Sequence, residues 1–285
     1  MSPAGPPAVM LDSCLWRELS PRNKSHLLIL GFCAAAFAGV FAVELSGGST
    51  PGEALSIAVN VAVMIFLAWA IARELDPDTP RSAFVAAALG GLILLGGSAP
   101  AGVSLGMLVA LRIVDRSTGK RPSIVDLVAV PVLAAAFSLM PRGWIGGVAM
   151  AAALVWDTVL PQAGPKRGYL SAVATLAAAF VVTVLRDTLS VGFNPPGILA
   201  WVVLTLAVVS PAAMRHYNPR SRGDRSREPL SGKRLRVARS LALGAGLVAF
   251  VAFGAAAIPL LTGTWAALIG IALHDRLVPS SAPRG

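Results

Sequence analysis

Asp76-Pro77-Asp78, in ARELDPDTPRS (Ala72 to Ser82), is the closest pair of aspartates in this sequence, and LRIVDRSTGKRPS (Leu111 to Ser123) repeats its setting: Arg, any residue, an apolar residue, Asp. Closely spaced carboxylates can hold a divalent cation against a diphosphate, the chemistry of membrane transferases that handle prenyl or phosphatidyl substrates. That chemistry calls for a second acidic cluster, and no cluster of that kind lies nearby. A lipid-modifying enzyme using Asp76, Asp78 and Asp115 is therefore one reading, and the weaker one.

The pattern continues down the chain. Asp157 closes LVWD, Asn218 follows RHY, and Asp275 closes ALHD, while Arg73, Arg112 and Arg215 each stand three residues before an Asp or Asn. Arg73, Asp76, Arg112, Asp115, Asp157, Arg215, Asn218 and Asp275 form a candidate polar cluster at one mouth of a helical bundle. Such a ring could bind a cation, a headgroup or a soluble partner. A plainer account is helix termination: Arg in a last turn favours the negative helix end, and Asp or Asn just past it supports a turn. Asp inside the last turn opposes the dipole, so each is expected beyond its helix.

Other motifs carry less. GVSLG (Gly102 to Gly106) fits the nucleophile-elbow pattern, but an elbow needs a strand-turn-helix and a histidine in reach. His26, His216 and His274 all fall near the opposite membrane face. Gly102 and Gly106 also make a small-residue pattern for close helix contact. SGKR (Ser231 to Arg234) lacks the upstream glycine and the hydroxyl of a phosphate loop. No histidine pair or cysteine cluster has metal-ligand spacing, so no metal, cofactor or catalytic constellation is expected. Cys14 and Cys33 do not suggest a disulfide framework.

The elements that must position these residues are apolar. Hydrophobic residues make up 55% of the 285 positions and charged residues 13%, with a mean hydropathy of +0.72. Water-soluble packing cannot hide that excess, and the alternation of a transmembrane barrel is missing. The fold class is all-α: a polytopic membrane bundle of about ten helices in successive hairpins. The apolar segments are 27–45, 55–72, 83–97, 100–114, 124–140, 144–160, 169–185, 197–214, 237–258 and 260–274. The first follows Arg17, Arg22 and Lys24 without a clear cleavage site and reads as a retained span.

Basic residues orient the bundle. With both termini inside, only Arg142 and Arg186 of the 24 Lys and Arg fall outside. The net charge of +10 is thus mainly a topology signal, and no nucleic-acid partner follows from it. The chain divides into an N-terminal segment 1–26, a membrane domain 27–214, a basic loop 215–236, a C-terminal hairpin 237–275 and a tail 276–285. Leu11, Leu15, Trp16 and Leu19 have the spacing of a short interfacial helix. The loop, rich in Arg, Ser, Gly and Pro, is expected to be flexible and drawn to anionic headgroups on the cytoplasmic side.

Segments 83–97 and 100–114 are short. At about 22 Å each they fall below a hydrocarbon core of about 30 Å, so they form either a thin hairpin or a re-entrant pair, with glycines for close packing. Candidate intramembrane polar residues are Asn60, deepest in its segment, Glu44 near an outer end and Asp126 near an inner end. Together these readings point to a multi-pass protein of a bacterial-type inner membrane, acting as a small-solute or lipid-handling permease. The alternative is a non-catalytic subunit or scaffold whose basic loop docks a soluble partner, with homo-oligomerisation also open.

Overall fold

The computed structural model describes residues 13–15, 19, 23–95, 97, 100, 101–187, 193–213, 219–224 and 228–277, with backbone alone at 209–213 and 275–277. The chain forms α1 (Lys24–Ser46), α2 (Pro51–Leu75), α3 (Pro80–Leu94), α4 (Gly102–Asp115), α5 (Ile124–Ser138), α6 (Trp144–Val159), α7 (Gly168–Leu185), α8 (Ile198–Ala213), α9 (Gly232–Phe253), α10 (Ala257–Leu260) and α11 (Thr262–Leu277). No strand lies among the described residues. Four helices, α1, α2, α7 and α9, are long and apolar enough to cross a membrane, and shorter apolar helices accompany them.

Local chemistry explains many of the boundaries. Thr50 and Glu53 exchange hydrogen bonds in a capping box that starts α2, with Pro51 in the first turn. Ser123 and Asp126 do the same for α5, and Ser231 caps α9. The last five residues of the 215–236 stretch, expected as loop, are therefore already helical. α9 ends at Gly254, whose φ of +58° suits glycine and whose missing side chain leaves room for the Asn194 carbonyl. The short α10 follows, so the last two long helices are not joined by one tight turn.

Small residues decide which helices meet. α4 lies at the centre, against α2, α5, α6, α9 and α11. Its Gly106 packs directly on α6: a Cβ there would stand 2.6 Å from the Gly146 Cα. α3 instead lies against α2 and α11, where a Cβ at Gly90 would stand 2.9 Å from the Ala68 Cβ and one at Gly270 2.8 Å from the Ala86 backbone nitrogen. α3 and α4 are thus not a mutually packed hairpin among the described residues. The glycines do permit close approach, as expected, but each set serves a different neighbour. α5 likewise packs on α7 as well as α6.

Burial also explains the short α4. At 14 residues it is about 21 Å long, yet most of its surface faces protein, where backbone groups need not match a lipid thickness. The helices that do face outward are apolar there. α1 buries only His26 and Ile29 of its described side chains, and Phe180 and Leu185 on α7, Ile198 on α8 and Val251 on α9 are all exposed. Such a wide apolar surface is suited to lipid.

Candidate functional site

The C-terminal ends of α2, α4 and α6 and the first turns of α9 gather at one end of the bundle, joined by buried charged groups. Each helix end presents carbonyls without an intrahelical donor and a partial negative charge. Arginines meet them. Arg239 Nε donates to the Leu75 carbonyl at the end of α2 (2.8 Å). Arg234 Nη1 donates to the Val114 carbonyl in α4 (2.9 Å), and its Nε to the Pro161 carbonyl just past α6 (3.0 Å). Arg116 Nη1 donates to the Gln162 carbonyl (2.8 Å). A cation at a helix C-terminus is favoured by the dipole, so α9 neutralises ends that belong to other helices.

Asp157 ties the arginines together. Its Oδ1 accepts from Arg116 Nε at 2.9 Å and from Arg234 Nη1 at 2.7 Å, with Arg116 Nη2 also 2.7 Å away. Asp157 is 2% exposed, Arg116 4% and Arg234 1%, so the triad is shielded from water. Burial pulls the Arg116 guanidinium below its ordinary pKa, while the Asp157 charge pushes it back up. Arg116 sits just past α4 in the left-handed region, φ +53°, a conformation that costs a non-glycine residue about 1 kcal/mol or more. Its side chain recovers this through the triad. Gly164 completes the fit, because a Cβ there would coincide with the Asp157 carboxylate.

Asp157 was expected past the end of its helix, yet it lies inside the last turn of α6, which continues to Val159. Two guanidiniums offset the unfavourable dipole. Asp115 is likewise the final residue of α4, its Oδ1 accepting from the Ser117 backbone N–H (2.9 Å). Among the described residues of the candidate cluster, Asp76 caps its helix from outside, where it accepts from Ser82 Oγ at 3.3 Å.

A second clasp lies beside the triad. Arg112 Nε pairs with Glu74 Oε1 at 3.0 Å, joining α4 to α2, and its Nη1 donates to the Leu15 carbonyl at 2.7 Å. Asp126 accepts from Ser13 Oγ and, at 3.0 Å, from the Cys14 backbone N–H. These contacts hold residues 13–15 as an irregular buried strap, with the Cys14 N–H and the Leu15 carbonyl bonded to α5 and α4; Leu11 and Trp16, on which the expected interfacial helix also rests, lie outside the described residues. Asp126 thus belongs to this end of the bundle, next to the Ser123 cap. Burial, aided by the Asp126 carboxylate, raises the Cys14 thiol well above its ordinary pKa.

The basic loop is docked where it is described. Asp78 accepts from the backbone N–H groups of Arg220 (2.8 Å) and Ser221 (2.7 Å) and from Ser221 Oγ. Asp224 N–H donates to the Ser117 carbonyl at 3.1 Å, and Gly223 N–H to the Glu228 carbonyl at 2.8 Å. The expected flexible loop therefore contains a folded turn, built by a carboxylate that sequence inspection read as half of an acidic pair. Arg73 lines a cavity beside this turn.

Compared with known proteins, the chain matches no family model, no curated protein and no solved structure. Of the candidate cluster, Arg112 and Asp157 enter ion pairs, Asp76 accepts from the Ser82 hydroxyl and Asp115 from the Ser117 backbone N–H, all at the same end. Arg215 and Asn218 lie outside the described residues, as does the side chain of Asp275, whose backbone is within α11. Asn60 is half-buried in α2, and Glu44 accepts from Ser49 Oγ (2.8 Å) at the other end of α1. Sequence inspection missed Glu74, Arg116, Arg234 and Arg239. Their one available signal was basic or acidic type within a turn of an apolar boundary.

The chemistry available here is ionic closure. Asp76, Asp78 and Asp115 each satisfy separate protein donors, and no group of three metal-ligating side chains occurs among the described residues. Ser104 of the elbow-like motif is fully buried within helical α4, where no strand-turn-helix presents it.

Proposed function

We propose that this is a ten-span protein of a bacterial-type inner membrane, with both termini and the arginine-capped end in the cytoplasm, working as a small-solute or lipid-handling permease. The observation that carries the reading is the sharing of buried Asp157 by Arg116 and Arg234, which bolts α4, α6 and α9 together at one end. A bundle that needed only stability would gain as much from apolar contacts, since desolvating charges offsets most of their attraction. A buried ionic bolt is better suited to define one of two states. In this reading it closes the cytoplasmic mouth. The basic residues concentrated at that end agree with positive-inside orientation.

The close-packed interior, with glycine-to-glycine contact between α4 and α6, favours a second reading as a non-catalytic membrane subunit. Cysteine accessibility separates the two. Met107 is fully buried on α4, about 13 Å below Arg116 along the helix. With Cys14 and Cys33 replaced by Ala, Met107→Cys is exposed to a membrane-impermeant maleimide from the cytoplasmic side, with and without Arg116→Gln. A gate predicts at least fivefold faster labelling once the bolt is weakened. Unchanged labelling in a variant that remains inserted and elutes as a single folded species would refute the gate and leave the subunit.

A further inference from the structure

The turn between α6 and α7 is held by the ionic assembly and carries two cations outward. Arg234 Nε and Arg116 Nη1 bond its Pro161 and Gln162 carbonyls, and the Gly164 N–H donates to the Asp157 carbonyl at 2.9 Å. Beyond these anchors Lys166 and Arg167 lead into α7, both exposed and neither with a side-chain partner among the described residues. A backbone fixed in advance spares part of the ordering cost of binding.

The carboxylates of this end do not cancel that charge. α7 has no Asp or Glu. On the helices it packs against, buried Asp157 of α6 is already shared by Arg116 and Arg234, and buried Asp126 of α5 accepts from Ser13, Cys14 and Ser123. Asp115, on α4 behind α6, is buried as well and accepts from the Ser117 N–H. Asp224 and Glu228, exposed in the basic loop, pair with neither cation. Arg121 adds another exposed positive charge, near enough to Arg116 to repel it.

Below the cations the surface turns apolar. Tyr169, Leu170 and Val173 on α7 and Trp156 and Val159 on α6 are exposed, while the hydroxyl-bearing Ser171, Thr175 and Thr183 of α7 are buried. The helices touch here, since a Cβ at Gly168 would stand 2.8 Å from Thr158 Cγ2, which sets Trp156 and Tyr169 at one level. Trp and Tyr are the side chains that settle at a membrane interface. Cations, an aromatic level and an apolar strip follow one another in the order of a phospholipid's headgroup, glycerol region and acyl chains. A soluble acidic partner would match the first level alone.

We propose that this turn is a binding site for an anionic phospholipid, its headgroup phosphate held by Lys166 and Arg167 and its acyl chains laid along Tyr169, Leu170 and Val173. Long basic side chains at a helix end reach headgroups in this way. Either leaflet offers such lipids, so the site requires residence in a bilayer and neither the gate nor a particular orientation.

For the test, the full chain in neutral detergent is titrated with phosphatidylglycerol or phosphatidylcholine of matched acyl chains, and bound lipid is counted by native mass spectrometry at low and high salt. Each basic residue near an anionic surface contributes roughly fivefold in affinity. Phosphatidylglycerol should therefore bind the wild type about tenfold or more tightly than phosphatidylcholine, and less so at high salt. Lys166→Gln combined with Arg167→Gln should remove most of that preference and leave phosphatidylcholine binding unchanged; both positions are exposed, so the double variant should fold. Arg81→Gln, at an exposed cation on α3, which packs on α2 and α11, should keep the preference. Equal binding of the two lipids by the wild type, a preference that survives the double variant, or one lost as fully in Arg81→Gln would overturn the proposal.

Discussion

Asp157→Asn keeps the size of the side chain and removes its charge, leaving Arg116 and Arg234 buried together without a counter-ion. In the wild type the carboxylate accepts from Arg116 Nε at 2.9 Å and from Arg234 Nη1 at 2.7 Å, with Arg116 Nη2 2.7 Å away. Both guanidiniums keep their carbonyl partners, Gln162, Pro161 and Val114, in the variant. The loss is thus chiefly electrostatic. Breaking a buried pair from one side costs about 3–5 kcal/mol, because the remaining charge has been desolvated without compensation. Spread over a chain of this size, the fall in Tm is on the order of 10 °C. Thermal unfolding of purified protein, followed by intrinsic fluorescence in one detergent at low salt, measures it. Gly164→Ala changes no charge but places a methyl group on the carboxylate, so it should lower Tm in the same direction. Asp157→Asn within about 1 kcal/mol of wild type would refute the reasoning, because the triad would then behave like an exposed pair.

Two further outcomes follow from other contacts. Gly106→Ala should destabilise by about 1–3 kcal/mol, because the added Cβ meets backbone at Gly146, 2.6 Å from Cα and 3.0 Å from the carbonyl carbon; Gly244→Ala, with open space around it, should be neutral or slightly stabilising in the same melt. In a Cys33→Ala background, Cys14 should resist iodoacetamide at pH 8, since burial and the nearby Asp126 carboxylate keep its thiol protonated. A raised thiol pKa contributes stability that is complete below the ordinary thiol value and is lost as pH climbs through the folded one. Asp126→Ala frees Ser13 and Cys14 and should speed alkylation at least tenfold; equal rates in the two proteins would mean that the strap is not held by Asp126.

Helices were the legible part of this chain, and their partners were not. Apolar runs locate α5 to within two residues at either end, because Ser123 caps one side and polar turn residues follow the other. Repeated Arg and Asp at boundaries likewise marked one end of the bundle. What escaped sequence reasoning was long-range satisfaction. A dipole argument places Asp157 outside α6, and it is correct for an isolated helix; it fails because Arg234, far along the chain, supplies the missing counter-charge. The same blindness made α3 and α4 a hairpin, although Gly106 finds Gly146 on α6 and Gly270 finds Ala86 on α3. It also left the basic loop unanchored, since nothing near Asp78 in sequence announces the Arg220 and Ser221 N–H groups it accepts from.

These misses have one physical source, and it bears on function. Helices as short as α4, with 14 residues, end inside the protein and not at a lipid interface, so their last carbonyls cannot reach bulk water. Something charged must come to them. Here α9 and the α4 terminus supply arginines, and Asp157 keeps those arginines from repelling one another. The ionic assembly is therefore a consequence of burying several helix ends at one place, where an exposed bundle would have used solvent. Because each partner is expensive to leave alone, the assembly should part as a unit or not at all, which is the behaviour the proposed gate needs. Under that proposal, weakening Arg116 is the informative perturbation, ahead of any change in the apolar helices.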